Sequence, residues 1–199
     1  MTDYPRMTLA ELPSDATALA QHLIGKLIVH DAPEGRTAGR IVETEAYQPG
    51  DAACHAFRGQ TPRNRSLFRR HGHAYVYISY GMHRMLNVAA EAEGIGAGVL
   101  LRAIEPLEGL DLMRARRGVD ALTDLARGPG RLAQAMGVTQ DLDGLDLCGE
   151  GPLWLAHGAQ PTGEVGVSVR IGITKAADRL LRFYLRGSRF VSGPGRLNA

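Results

Sequence analysis

Two carboxylates and an aromatic ring alternate along Gly39-Arg-Ile-Val-Glu-Thr-Glu-Ala-Tyr47. The β-branched residues Ile41, Val42 and Thr44 give this stretch strand propensity. Side chains of a strand alternate faces, so Val42, Thr44 and Ala46 are expected on one face. Ile41, Glu43, Glu45 and Tyr47 are expected on the other. The first face suits a core. The second carries charge that is costly to bury without a partner or a purpose. A carboxylate in a half-buried, aromatic-lined site is suited to activating a water molecule. On a solvated edge strand the same residues would be two ordinary surface charges, so the rest of the chain has to decide.

The charge distribution points to what such a site would act on. The net charge is only +2, but no acidic residue stands between Asp51 and Glu91. That window holds Arg58, Arg63, Arg65, Arg69, Arg70 and Arg84, with His55, His71, His73 and His83. The C-terminal segment repeats the bias, with Lys175, Arg179, Arg182, Arg186, Arg189 and Arg196 against Asp178. Lys26 and Lys175 are the only lysines. Arginine offers a forked, permanently charged donor set that fits phosphate, so a polyanionic partner is expected. Within the first window, Thr61, Arg63, Asn64 and Arg65 supply hydroxyl, guanidinium and amide donors suited to a phosphate backbone. Gly130 and Arg131, at the start of an expected helix, form a second candidate phosphate clamp.

The elements that must position these groups are readable in outline. Leu12-Pro-Ser-Asp15 is a helix-start signal ahead of an apolar period at Ala16, Leu19, Ala20, Leu23 and Ile24. Lys26–His30 and Gly39–Tyr47 read as strands joined by the turn Pro33–Arg36. Residues 48–73 form a long Gly-, Pro-, Arg- and His-rich connection, which marks a functional loop. His73–Tyr80 alternates, with Ala74, Val76 and Ile78 expected in the core and Tyr75, Tyr77 and Ser79 on the opposite face. Gly81-Met82 turns this strand into His83–Ala90, leaving Tyr80 at a hairpin tip beside many arginines, where a ring can wedge between bases. A third strand, Ala97–Pro106, carries Arg102 inside an apolar run, a candidate partner for a buried carboxylate. Helices are expected over Glu108–Arg117 and from Arg127 to Met136, and strands over Val165–Thr174 and Leu180–Leu185.

Composition narrows the function class. At 199 residues, the chain suits one domain with a real core. No stretch approaches the ~20 apolar residues of a membrane span. The first residues lack the apolar region of a secretory signal, so a cytoplasmic protein is expected. Two cysteines, Cys54 and Cys148, make neither a disulfide framework nor a metal-type pair. There is no nucleotide-binding glycine loop and no serine-hydrolase elbow. A poised carboxylate, an aromatic slot and basic flanks are what an enzyme needs to hold a nucleotide flipped out of a duplex.

The segments GRIVETEAY, QTPRNR, YVYISYGM with the following LNV, VLLRAIEPLEG and LRFYLRGS resemble the alkyladenine (3-methyladenine) DNA glycosylases of the human alkyladenine glycosylase type. The resemblance runs from about Leu12 to Ser192, with the motifs in order. It implies a monofunctional glycosylase needing no metal or cofactor, acting on double-stranded DNA that contains damaged purines; a monomer is expected, since nothing in the sequence marks an obligate dimer surface. It implies Glu45 as the base that deprotonates the attacking water and Arg102 as the arginine that helps hold that water. It assigns Tyr47, His55 and Tyr77 to the rings around the base, and Asn87 to the screen against ordinary guanine. Ile171 and Gly172 match a backbone position that contacts base and water. Tyr80, with Met82 beside it, matches the intercalating hairpin tip. His83 stands where relatives carry tyrosine. The expected fold is α+β: a single mixed domain over residues 1–199 with a curved, mostly antiparallel β-sheet, surrounding helices and a protruding β-hairpin. Residues 1–7 and 193–199 are expected to be loose tails. Two other readings compete. One is a metal-dependent nuclease using Glu43, Glu45 and Asp51 as ligands. The other is a non-catalytic nucleic-acid-binding module with the tyrosines as a stacking platform.

Overall fold

The computed structural model describes residues 3–79, 81–158 and 163–198. The first helix, α1 (Ala16–His22), starts where the sequence places it. The Asp15 side chain accepts from the Ala18 amide at 2.7 Å and so satisfies one of the free amides of the first turn. Its buried face, Ala16, Leu19 and Ala20, packs behind the following strands. Strands β1 (Leu27–Ala32) and β2 (Gly35–Tyr47) form the expected hairpin. β3 (Ala74–Ser79) and β4 (His83–Ala89) form the second hairpin, followed by β5 (Gly98–Glu108). Helices α2 (Leu110–Arg117) and α3 (Pro129–Ala135) come next. The short strands β6 (Leu153–Ala156), β7 (Val165–Ser168) and β8 (Arg182–Leu185) close the domain.

All named strand pairs are antiparallel, in the order β3-β4-β5-β2-β1-β6. β8 and β7 branch off β2. The fold is thus the single α+β domain with a curved antiparallel sheet that the sequence led us to expect. The branch arises because β2 outruns its hairpin partner. β1 pairs with β2 only up to Arg40, and β8 takes the same edge opposite Glu43, Thr44 and Glu45. One sheet face and the helices enclose the main core, which includes Leu19, Ile41, Leu86, Leu101, Ile104 and Leu132. Each such side chain contributes roughly 1.5–3 kcal/mol by leaving water. Thr44 Oγ1 donates to Ala20 O at 2.8 Å, pinning β2 against α1 directly behind the strand's carboxylates.

Several local expectations are corrected. Thr44 and Ala46 share a face as expected, but Ile41 joins them in the core while Val42 crosses to the Tyr184, Phe190 and Val191 side. The cause is a pair of register shifts between β2 and β5 around Glu43, which let Val42 and Glu43 share one face, and likewise Arg102 and Ala103. Ile78 is not core but 41% exposed, because β3 projects beyond the main core as it nears the hairpin turn. The strand expected over Val165–Thr174 ends at Ser168, and residues 169–174 are irregular. Of the expected tails, residues 3–7 and 193–198 are described. Met7 is buried and Arg6 pairs with Ala156. Phe190, Val191 and Ser192 are buried, and Arg182 binds Leu197 O and the Asn198 side chain.

Candidate active site

Glu45 is completely buried on β2, and three donors converge on it. The Ile171 amide donates to Oε1 at 2.7 Å. Arg102 Nη1 lies 3.2 Å from the same oxygen. The Tyr47 hydroxyl donates to Oε2 at 2.9 Å. Burial and the neighbouring Glu45 hold the Tyr47 phenol well above its ordinary range, so it stays protonated and remains a donor. Burial alone would lower the Arg102 pKa, but Glu45 and Glu43 raise it beyond its ordinary value, so the guanidinium stays charged.

Arg102 also reaches Glu43, whose Oε1 accepts from Arg102 Nε at 2.9 Å and from Arg182 Nε at 2.7 Å. Glu43 Oε2 accepts from the Ser192 amide at 2.7 Å. Burial pushes the Glu43 carboxyl up, but the two guanidinium groups and these hydrogen bonds outweigh it and leave the group below the usual carboxylate range.

Tyr47 connects Glu45 to a cavity of about 180 Å³. Tyr47, His55, Tyr75, Tyr77 and Asn87 line it, and Gly172 and Ile173 form part of its rim. The His55 and Tyr77 rings meet edge to face, with centroids 4.5 Å apart. Tyr77 stacks on Tyr75 at 5.4 Å, and Tyr75 places its hydroxyl 3.0 Å from His55 Nδ1. Desolvation, aided by the charge of Arg63, lowers the His55 pKa and favours the neutral ring at pH 7. Asn87 spends a side-chain N–H on Tyr75 O at 3.2 Å. Gly172 has φ +77°, a backbone conformation that favours glycine, although a Cβ there would meet only open space.

Residues 10–189 match the family model described as methylpurine-DNA glycosylase. The chain is 65% identical over 195 residues to a protein of Mesorhizobium japonicum, covering 98% of this chain and 94% of that one. It is 56% identical over 187 residues to a protein of Paraburkholderia phytofirmans, covering 94% and 88%. It is 53% identical over 182 residues to one of Methanoculleus marisnigri, covering 89% and 94%. All three are provisionally named 3-methyladenine DNA glycosylases. The chain belongs to the methylpurine-DNA glycosylase family.

This family of DNA N-glycosylases is a frame for the remaining residues. Glu45, Arg102, Tyr47, His55, Tyr77, Asn87, Ile171 and Gly172 lie together in the structure. The six phosphate candidates do not form one cluster. Asn64 is buried and turns inward, accepting from the Thr61 amide and donating to His55 O at 2.9 Å and Gly59 O at 3.1 Å. It therefore shapes the loop that carries His55. Arg63 and Arg65 flank a groove beside the β3–β4 hairpin. Gly130 packs under His83 of the same hairpin, where an added Cβ would come within 3.3 Å. Arg131 lines a separate cleft with Arg102, Arg127 and Ser192, and pairs with Asp124 at 3.4 Å. Met82 is 70% exposed at the hairpin turn, and Tyr80 lies outside the described residues.

The carboxylates named as possible metal ligands are engaged elsewhere. Asp51 binds Arg170, and Glu43 faces two guanidinium groups that would repel a cation. Among the described residues no group of three or more His, Cys, Asp or Glu is arranged to hold a metal ion, and no helix is long and apolar enough to cross a membrane. Sequence reasoning missed Tyr75, Arg170, Arg182 and Ser192. Tyr75 could have been found, because it shares the alternating face of Tyr77. Besides short-range bonds, the other three act through contacts with residues 90 or more positions away in the chain: Arg170 with Asp51, Arg182 with Glu43, and Ser192 with Arg102 and Glu43.

Proposed function

We propose that the chain is a monofunctional DNA glycosylase that flips damaged purines, of the 3-methyladenine, 7-methylguanine, hypoxanthine and ethenoadenine class, out of duplex DNA. The observation that carries this reading is a fully buried carboxylate, Glu45, hydrogen-bonded by a phenol that is itself a wall of an aromatic cavity. The base would enter that cavity between Tyr47 on one side and His55 and Tyr77 on the other. Glu45 would take a proton from water as the water oxygen bonds to C1′ of the sugar. The N-glycosidic electron pair would leave with the purine. In the nucleotide a 3- or 7-methylated purine is cationic and leaves as a neutral base without gaining a proton. For these lesions the task left to the protein is to stabilise the oxocarbenium-like sugar, while hypoxanthine and ethenoadenine would take a proton from water as they leave. The anionic Glu45 stabilises that sugar best in a site from which water is largely excluded. The intercalating role falls to Tyr80 and Met82, and phosphate binding to Thr61, Arg63, Arg65 and Arg131, while the buried Asn64 and the packed Gly130 hold the backbone around them. Neither Lys26 nor Lys175 lines the cavity, which favours simple hydrolysis over a lysine-linked intermediate. We expect a monomer acting in the cytoplasm without a cofactor.

The test is base release from alkylated duplex DNA in excess chelator, with native protein and Glu45→Gln. Native protein should release 3-methyladenine. The variant should bind the DNA and be slower by about 10²–10⁴-fold. Equal release by both would overturn the role of Glu45, and loss of native activity in chelator would favour a metal-dependent reaction.

A further inference from the structure

A second buried ion pair lies behind the cavity, and neither the family assignment nor the reaction above gives it a role. The Arg170 and Asp51 side chains are both 0% exposed. Arg170 Nη1 donates to Asp51 Oδ2 at 2.5 Å and to Ala46 O at 2.9 Å. Arg170 Nη2 donates to Asp51 Oδ1 at 3.2 Å and to Ala176 O at 3.3 Å. The guanidinium also lies over the Tyr47 ring, 4.6 Å from its centroid. Asp51 in turn accepts from the Ala53 amide at 2.9 Å, fixing the turn that leads into Cys54 and His55.

These contacts converge on Glu45. Two of its donors are uncharged, the Tyr47 hydroxyl and the Ile171 amide. Arg170 is next to Ile171 in the chain, so anchoring its side chain to Ala46 and Asp51 limits where the Ile171 amide can point. The same guanidinium packs on the ring that carries the other donor. Among the described residues, Arg102 reaches Glu45 independently of the pair, from β5. The pair also joins both sides of the cavity, with Tyr47 on one side and the Asp51–His55 turn on the other.

We propose that the Arg170–Asp51 pair is a positioning clamp that sets both uncharged hydrogen bonds to Glu45 and the separation between Tyr47 and the His55 loop. It rests on the reading of Glu45 as the water-activating base. Neither residue lines the cavity. It acts by holding donors that cannot be misplaced by much without losing their short, charge-assisted bonds.

The experiment compares native protein, Glu45→Gln, Arg170→Lys, Asp51→Asn, Tyr47→Phe and the double variants Arg170→Lys/Tyr47→Phe and Asp51→Asn/Tyr47→Phe. The readouts are single-turnover base release from alkylated duplex DNA, affinity for the same DNA, and thermal unfolding. Arg170→Lys keeps the charge but cannot hold Asp51, Ala46 and Tyr47 together. Asp51→Asn keeps the shape and serves if Arg170→Lys does not fold. Each folded clamp variant should release base about 10–100-fold more slowly, the worth of one to two charge-assisted bonds, with DNA affinity within about twofold of native. Tyr47→Phe should cost clearly less in the Arg170→Lys background than in the native one, because both changes disturb the same bond. In the Asp51→Asn background the same shortfall is expected, so the coupling test survives failure of the lysine variant. Native release rates in the clamp variants, strictly additive effects, or a fall in thermal stability without a fall in rate would each overturn the clamp. Native protein that releases no base would instead overturn the glycosylase reading itself.

Discussion

Glu43 and Glu45 stand two residues apart on one strand, both are completely buried, and both pair with Arg102. Their surroundings differ in kind. Glu43 is enclosed by two guanidinium groups and the Ser192 amide, on the side where the C-terminal segment packs. Glu45 has one guanidinium, one phenol and one amide, and its phenol opens on a cavity. A carboxylate held by two permanent cations is stabilised as an anion and gains little by accepting a proton. A carboxylate whose donors are one guanidinium, one phenol and one amide, beside a cavity, has room for a reacting molecule next to it. On the reading of Glu45 as the proposed water-activating base, burial alone does not separate a structural carboxylate from a chemical one. The charge of the donors and the neighbouring space do.

The sharpest way to break this comparison is Glu43→Gln. It should leave Arg102 and Arg182 buried without a counter-charge and destabilise the fold by about 3–5 kcal/mol, read from denaturant unfolding. Glu45→Gln should leave stability much closer to native while removing activity. If both variants destabilise equally and both keep activity, the division of labour is wrong. A smaller effect is expected for Arg102→Lys, because a single ammonium cannot reach Glu43 and Glu45 as a fork. Base release should fall by roughly 10–100-fold, with a parallel loss of stability of about 1.5–3 kcal/mol. A loss in only one of the two would show that Arg102 serves only one carboxylate.

The smallest expected effect is in the pH dependence of stability. The Glu43 pKa is lowered in the folded state from an ordinary value of 4.5. Its contribution is then complete above about pH 4.5 and is lost as the pH falls through the folded value. Native protein should lose stability in that acidic window, and Glu43→Gln should lose less of it. Unfolding midpoints measured from pH 3 to 7 check this. Parallel curves for the two proteins would mean that Glu43 does not carry the linkage.

Much of this site is legible in the amino-acid order alone. Period-two alternation puts Glu43, Glu45 and Tyr47 on one face and Tyr75 and Tyr77 on one face, and both groupings hold. The Asp15 helix start, both hairpins and the anomalous Arg102 within an apolar strand are equally visible. These features follow from local rules, the pleat of a strand and the free amides of a helix end, which a sequence states directly. The same rules misplace Ile41 and Val42, because a bulge resets the alternation and depends on pairing with β5.

What the sequence determined by itself was which side chains share a face, where the positive charge gathers and, through its ordered motifs, the family. What only the tertiary structure decided was the partner of each buried charge: Arg102 and Arg182 for Glu43, Ile171 for Glu45, and Arg170 for Asp51. Those pairings span from 59 to 139 residues of chain. They depend on strand register and on the branching of β8 from β2, which are set by packing of the whole sheet rather than by any local run of residues.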